Sequence, residues 1–164
     1  EWKPKERLGI EMSQDFIDSV LKVFAKAQVR EAVNVPAVNV EAGDLVSALE
    51  AYKKDLKMDM LLDHTAIDLV EEGKFELVYQ LFSARTGEYL SVYTRISREH
   101  PQVASASKLW AIAEFQEREV FDFFGVEYEN HPDLRRLFLE DDWQGYPLRK
   151  DYKDDFMLEL PDHG

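Results

Sequence analysis

The chain has 164 residues, of which 45% are hydrophobic, and this composition suits one domain with a single core. Its formal net charge is -13 and no basic run exceeds a pair, which excludes nucleic acid or anionic lipid as a general ligand. It contains no cysteine, so we expect neither a thiolate-held iron–sulfur cluster nor disulfides. No apolar stretch approaches about 20 residues, so we expect no transmembrane span, and the N-terminus has no signal-peptide core.

Two amphipathic helices are predicted in the first third of the chain. Ser13 suits the N-cap of the first helix, in which apolar residues follow the helical period from Phe16 to Ala27. A β-prone segment at 29–40, interrupted by Pro36, comes next. The second helix begins near Asp44, where the apolar spacing typical of helices resumes.

Three strands are predicted after these helices, at 58–62, 75–83 and 89–97. Turns at Gly73 and Gly87 separate them, as expected for an antiparallel meander. Strands with one apolar face need a cover, which the two helices can supply. The predicted fold is therefore α+β: a two-layer sandwich of an antiparallel or mixed sheet with helices on one face, followed by a helix and a long extended C-terminal tail.

The last helix and the tail occupy 113–164, which we assign to the same domain as the α+β part at 1–112. Gly125 ends the helix, because the residue after the last apolar turn often needs a left-handed conformation. Pro132 and Pro147 then favour extended and turn-like chain. The tail is rich in aromatic residues, which usually bury against a surface, so we expect a protein partner to order it.

No catalytic, cofactor or metal site is predicted. Glu117 and Glu119 project in different directions around a helix and cannot share a proton, so we expect ion pairs within the fold or across an interface. His64 follows Asp63 and is expected at the surface or in a turn. The histidines are widely spaced, and no glycine-rich loop for a dinucleotide is present.

Three sequence blocks follow one another in a specific order. They are Glu117-Arg118-Glu119 followed by Asp122, then HPDLRR at 131–136, then GYPLRKDY at 145–152. In these blocks the chain resembles the C subunit of the respiratory complex I, the NADH–quinone oxidoreductase, and its relatives in membrane-bound hydrogenase complexes. Tyr146 departs from the pattern, since many relatives carry histidine there, so no role that needs an imidazole transfers to this position.

The resemblance implies a non-catalytic structural subunit in the peripheral arm of a proton-translocating enzyme that transfers electrons from NADH to a quinone. Its implied partners are the D subunit of complex I, which borders the quinone site, and neighbouring peripheral-arm subunits, at the cytoplasmic side of the cell membrane. Flavin and iron–sulfur clusters would lie on those partners and not on this chain. Two alternatives are kept: the equivalent scaffold of a hydrogenase or formate hydrogenlyase complex, and a stand-alone α+β enzyme or binding module for a small molecule.

The resemblance also implies an interface between subunits, formed by the three blocks and the tail. Its residues are Glu117, Arg118, Glu119, Asp122, His131, Arg135, Arg136, Trp143, Tyr146, Pro147, Arg149, Lys150 and Asp151. Either the basic members neutralise acidic residues of the tail, or their charged groups contact carboxylates and carbonyls of a partner. We favour the partner, so replacing Arg136 or Arg149 by alanine should weaken recovery of the D subunit and leave the melting temperature of the lone chain nearly unchanged.

Overall fold

The computed structural model describes residues 14–32 and 34–154. The helices are α1 (Gln14–Val23), α2 (Leu45–Asp55) and α3 (Ala113–Phe124). The strands are β1 (Gln28–Arg30), β2 (Ala37–Asn39), β3 (Met60–Leu69), β4 (Lys74–Phe82), β5 (Tyr89–Ser97), β6 (Gln102–Ala104) and β7 (Glu127–Glu129). Within the described ranges, none of the helices has the length and apolar character needed to cross a membrane.

In the described part of the chain, five strands form one sheet in the order β1-β2-β5-β4-β3. The strands β3, β4 and β5 are antiparallel neighbours, so the predicted meander is confirmed. The sheet is nevertheless mixed, because β2 pairs with β5 in parallel, with Val38 opposite Val92, and β1 returns antiparallel beside β2. The strands β6 and β7 form a separate parallel pair, which places the chain before α3 next to the chain after it.

The core lies between the sheet and the helices. One face of β4 supplies a row of fully buried residues: Phe75, Leu77, Tyr79 and Leu81. They share a face because alternate residues of a strand point the same way. Each helix adds residues to the same apolar cluster, among them Val20, Leu49 and Val120. The predicted α+β sandwich with helices on one face is therefore confirmed.

The strand β3 extends further than the sequence predicts. It covers Met60–Leu69, whereas the apolar alternation ends near residue 62. Two of its inward positions hold polar residues, His64 and Asp68, each only 3% exposed. Buried polar residues interrupt the pattern from which a strand is recognised. The expectation that His64 lies at the surface or in a turn is therefore wrong.

The predicted start of α2 and end of α3 fall close to the observed ones, whereas the first helix is predicted to reach Ala27 and α1 ends at Val23. The helix α2 begins at Leu45, directly after Asp44. The helix α3 ends at Phe124, and Gly125 follows in the left-handed conformation with φ of 74°. The predicted N-cap Ser13 lies outside the described residues. The division into 1–112 and 113–164 stays a prediction.

Candidate interface with a partner protein

The tail is attached to α3 at Asp122. This side chain is fully buried, and its Oδ2 accepts hydrogen bonds from three successive backbone N–H groups. These belong to Leu137 (3.0 Å), Phe138 (2.7 Å) and Leu139 (3.0 Å). Burial would raise the pKa of Asp122, but the N–H groups and the guanidinium of Arg136 outweigh it and hold the pKa below its ordinary value. Asp122 is therefore a buried anion that fixes the first bend of the tail.

Arg136 closes the same loop from the tail side. Its Nη1 donates to Asp122 Oδ1 (2.9 Å) and to the carbonyl oxygen of Asp122 (3.0 Å). Its Nη2 donates to the carbonyl oxygens of Trp143 and Gly145, both at 3.0 Å. The side chain is 13% exposed. One planar guanidinium thus joins the helix to two later points of the tail, a task that suits arginine and its fixed fork of donors.

Arg149 is the second tail arginine that binds the body of the chain. Its Nε donates to the carbonyl oxygen of Phe124 at 2.7 Å. Its guanidinium lies 4.7 Å from the ring centroid of Tyr146 and 5.2 Å from that of Phe75, a geometry that favours a cation. The last carbonyls of a helix have no partner within the helix. Arg149 supplies one where α3 ends.

Gly125 allows the tail to lie this close to the helix end. A Cβ at this position would lie 2.5 Å from Tyr146 Cε2 and 2.8 Å from Arg149 Nη2, whereas Gly87, with a similar φ of +77°, has no atom within 4 Å of the equivalent point. Alanine in a left-handed conformation costs about 1 kcal/mol at either site. We expect Gly125→Ala to lower the melting temperature several degrees more than Gly87→Ala does, because only the former displaces Tyr146 and Arg149. Thermal melts of both variants test this, and equal losses would contradict it.

Asp68 on β3 holds the far end of the tail. Its carboxylate accepts from Arg98 Nε (2.9 Å) and Nη2 (3.3 Å) and from the backbone N–H of Lys150 (2.9 Å). Arg98 also contacts Asp151. Sequence reasoning missed Asp68 and Arg98, because Asp68 and Lys150 are 82 positions apart and no local pattern links them. The signal available was an acidic residue inside a strand, where such residues are uncommon.

Glu117 is fully buried on the inner side of α3. Its Oε1 accepts from the backbone N–H of Ala106 and its Oε2 from the hydroxyl of Ser105, both at 2.6 Å. The Nε2 of His131 lies 3.9 Å from Glu117 Oε2, but it is 2.9 Å from the carbonyl oxygen of Glu114 and donates there. Burial raises the pKa of Glu117 to about 7. This carboxyl is therefore part protonated near neutral pH.

His64 is a second buried titratable group in the same core. Its Nδ1 lies 2.9 Å from the carbonyl oxygen of Val78 and its Nε2 lies 2.6 Å from the hydroxyl of Tyr128. Its ring stacks on Tyr79 with centroids 4.0 Å apart. Burial lowers the pKa of His64 to about 4. The imidazole is neutral, with Nδ1 donating to the carbonyl and Nε2 accepting from the tyrosine.

The sequence-predicted interface residues divide by their exposure in the single chain. The buried ones are Glu117, Arg118 and Asp122. The partly exposed ones are Arg136, Tyr146, Pro147 and Arg149, together with His131, whose side chain itself is fully buried. The exposed ones are Glu119, Arg135, Trp143, Lys150 and Asp151. The five exposed residues have side-chain surface available for direct contact with a partner. That they lie in an interface stays a prediction.

The buried charges are used within the fold, which was one of the two roles expected for them. Arg118 donates to the carbonyl oxygens of Arg135 (3.1 Å) and Arg136 (2.9 Å). Arg136 and Arg149 also contact carbonyls, as predicted, but the carbonyls belong to the same chain. The expectation that these two arginines add little to the stability of the lone chain therefore needs correction, since both tie the tail to α3.

Large apolar side chains remain exposed on the attached tail, and we call them together the tail surface. It consists of Phe138 (63% exposed), Leu148 (54%) and Trp143 (37%). Phe138 also stacks on Phe123 of α3, with ring centroids 5.7 Å apart. Large apolar side chains this exposed, on chain that its own hydrogen bonds hold in place, are typical of a protein contact surface.

Comparison with known proteins gives relatives along most of the chain. A family model described as the 30 kDa subunit of the respiratory-chain NADH dehydrogenase matches residues 38–155. The C subunit of NADH-quinone oxidoreductase from Moorella thermoacetica is 40% identical over 139 residues, covering 85% of this chain and 94% of that protein. The C/D subunit of NADH-quinone oxidoreductase from Phocaeicola vulgatus is 45% identical over 116 residues, covering 70% of this chain but 22% of that longer protein.

Solved structures share the fold. A chain of the membrane-bound sulfane sulfur reductase, an archaeal respiratory membrane complex, superposes with a TM-score of 0.76 at 28% identity, covering 85% of this chain and 84% of that chain. A trypsin-resistant fragment of Nqo5 superposes with a TM-score of 0.64 at 25% identity, covering 73% of this chain and 98% of the fragment. With the family match over residues 38–155, these likenesses mean that the chain belongs to the family of the 30 kDa subunit, also named the C subunit, of the respiratory-chain NADH dehydrogenase.

Proposed function

We propose that this chain is a non-catalytic structural subunit in the peripheral arm of a proton-translocating NADH–quinone oxidoreductase, where it supports the D subunit at the quinone site. The observation that carries the proposal is the tail surface. Phe138, Leu148 and Trp143 are exposed, yet the Asp122–Arg136 contacts fix the segment that presents them. A preorganised apolar surface binds a partner without a large ordering cost.

The identity of the partner is supported by the longer relative. In Phocaeicola vulgatus the matching region is part of one protein that is named as a joint C/D subunit. Joining two proteins in one chain keeps them at high effective concentration, which is useful when they act side by side. We therefore assign the D subunit as the neighbour of the tail surface, at the cytoplasmic side of the membrane.

The chain's own role is to hold other subunits and not to carry electrons. The sequence has no cysteine, the usual ligand of iron–sulfur clusters. In residues 14–32 and 34–154, no group of three or more His, Asp or Glu side chains is placed to bind a metal ion. We accordingly assign flavin and clusters to the partner subunits.

Trp143→Asp tests the tail surface, because it puts a charge on an exposed apolar contact and leaves the backbone carbonyl that binds Arg136 in place. We expect about 30-fold weaker association with the D subunit, the loss typical of an interface hot spot of about 2 kcal/mol. The measurement is recovery of the D subunit after purification in mild detergent. Trp143→Phe is the matched control and should keep most of the recovery. Equal recovery with both variants would contradict the assignment.

A second assembly is a candidate because the sulfane sulfur reductase chain superposes with a TM-score of 0.76 over 85% of this chain. The second candidate is therefore the equivalent scaffold subunit of a hydrogenase or formate hydrogenlyase complex. The co-purified partners distinguish the assemblies: an NADH-oxidising flavoprotein indicates the first, and a hydrogenase large subunit indicates the second.

A further inference from the structure

A second exposed apolar surface lies where the start of α3 crosses β3, and we call it the α3–β3 patch. It consists of Met60 (45% exposed), Leu62 (43%), Ile112 (48%) and Phe115 (52%). The Nε2 of Gln116 donates to the carbonyl oxygen of Leu62 at 3.3 Å, which places the helix beside this part of the strand. Four large apolar side chains are thus exposed together.

The strand in this patch is the last one of the sheet. Among residues 14–32 and 34–154, β3 pairs with β4 alone. Met60 and Leu62 point outwards while Leu61 between them is buried, as the alternation of a strand requires, and a bulge between Leu61 and Asp63 leaves Leu62 and Asp63 exposed one after the other. Proteins usually protect an edge strand with lysine, proline or a covering element. The apolar side chains on this edge indicate a surface that another protein covers.

A groove of about 440 Å³ runs into the patch. Its walls include Met60 and Leu61 of β3 together with Trp110 and Ile112 of the segment that leads into α3. Lys53, which also lines the groove, donates to the carbonyl oxygen of Leu109 and is already used within the chain. The groove can therefore take apolar side chains from a partner.

Three acidic residues lie beside the patch. Asp59 lines the groove, Asp63 follows Leu62 on the strand, and Glu119 lies one helical turn after Phe115. Both Asp63 and Glu119 are exposed. A second copy of this chain, with a net charge of -13, would bring like charges to this rim. A segment that carries lysine or arginine would match it.

We propose that the α3–β3 patch docks a segment of a neighbouring subunit in which apolar side chains are flanked by lysine or arginine. The patch is distinct from the tail surface, since Phe115 and Phe123, on which the tail stacks, are about 12 Å apart along the helix axis. The proposal rests on the assembly of this chain into a complex. It adds a second contact, so the chain bridges two protein segments.

Photo-cross-linking in the assembled complex tests the patch. A photoreactive benzoyl-phenylalanine in place of Phe115 should cross-link to another subunit, at a peptide that contains apolar residues next to lysine or arginine. The double variant Asp63→Lys, Glu119→Lys should lower the cross-link yield by about tenfold, because like charges would then face each other. Both replaced side chains are exposed, so the lone chain should melt as the wild type does.

The proposal is overturned by a cross-link to this chain or to a second copy, by a cross-link to an acidic segment, or by a yield that the double variant leaves unchanged. Recovery of the D subunit is scored in the same sample. If the D subunit is recovered but no cross-link forms, the proposal for the α3–β3 patch is wrong and the proposed function stands. If the D subunit is not recovered even with the wild-type chain, the proposed function is wrong, and the proposal for the patch fails with it.

Discussion

Arg136→Ala is expected to lower the melting temperature of the single chain by roughly 10 °C. The variant leaves the fully buried carboxylate of Asp122 without its cation, and breaking a buried ion pair in this way costs about 3 to 5 kcal/mol. It also frees the carbonyl oxygens of Trp143 and Gly145. In a domain of this size, each kcal/mol lowers the melting temperature by about 2 to 4 °C.

Arg135 provides the matched control for this change. It is adjacent in sequence, but its side chain is 67% exposed and pairs with Asp133, itself 48% exposed. Exposed pairs of this kind contribute little to stability, so Arg135→Ala should melt within about 2 °C of the wild type. Circular dichroism melts of the two variants make the comparison. Similar melting temperatures for both would mean that the Asp122–Arg136 contact does not hold the tail.

Glu117→Gln is expected to change how stability depends on pH between about pH 4.5 and 6.5. The folded-state pKa of Glu117 is raised from 4.5 to about 7, so the folded chain binds a proton there that the unfolded chain has lost. This contribution to stability is fully present below pH 4.5 and is lost as the pH rises towards 7. On its own, Glu117 therefore makes the protein less stable as the pH increases.

His64 acts in the opposite direction over the same range. Its folded-state pKa is lowered from 6.5 to about 4, so between these pH values the histidine is protonated in the unfolded chain and neutral in the folded chain. This contribution is fully present above pH 6.5 and is lost as the pH falls towards 4. The two contributions oppose each other, so together they largely cancel between pH 4.5 and 6.5.

Replacing either Glu117 or His64 should reveal the pH dependence of stability that the other residue contributes. In Glu117→Gln, which can keep hydrogen bonds to Ser105 and Ala106, stability should fall as the pH decreases, by about 1.4 kcal/mol per pH unit. In His64→Gln the slope should have the opposite sign, whatever the loss of packing does to the overall stability. Urea unfolding at several pH values measures both slopes. Parallel curves for the wild type and the two variants would contradict the buried titrations.

The contacts of two tail arginines match the predicted chemistry but lie within the chain. The sequence predicts that Arg136 and Arg149 bind carboxylates or carbonyls of a partner, and in the single chain both bind carbonyls of that same chain. The acidic and aromatic residues around these two arginines indicate that their guanidinium groups are buried in contacts. Whether those contacts lie within the chain or with another subunit depends on the path of the tail after Gly125, which local residue types do not specify.

The sequence also failed where the core is polar. The sequence predicts His64 at the surface and a strand that ends seven residues before β3 does, because a buried histidine and a buried aspartate resemble loop residues in a hydrophobicity pattern. Their burial is tolerated because Val78, Tyr128 and Arg98 supply hydrogen bonds. Those partners come from three other parts of the chain.

The sequence by itself determined the fold class, the helix stop at Gly125, the meander of β3, β4 and β5, and the three blocks that identify the family. These features depend on the spacing of neighbouring residues, which sets backbone conformation and amphipathic faces. Only the tertiary structure decided the parallel pairing of β2 with β5, the use of Asp122 and Asp68 as anchors for the tail, and the location of the exposed apolar surfaces. Each of these depends on groups brought together across long separations, up to the 82 positions between Asp68 and Lys150, and such contacts are selected by the packing of the whole chain.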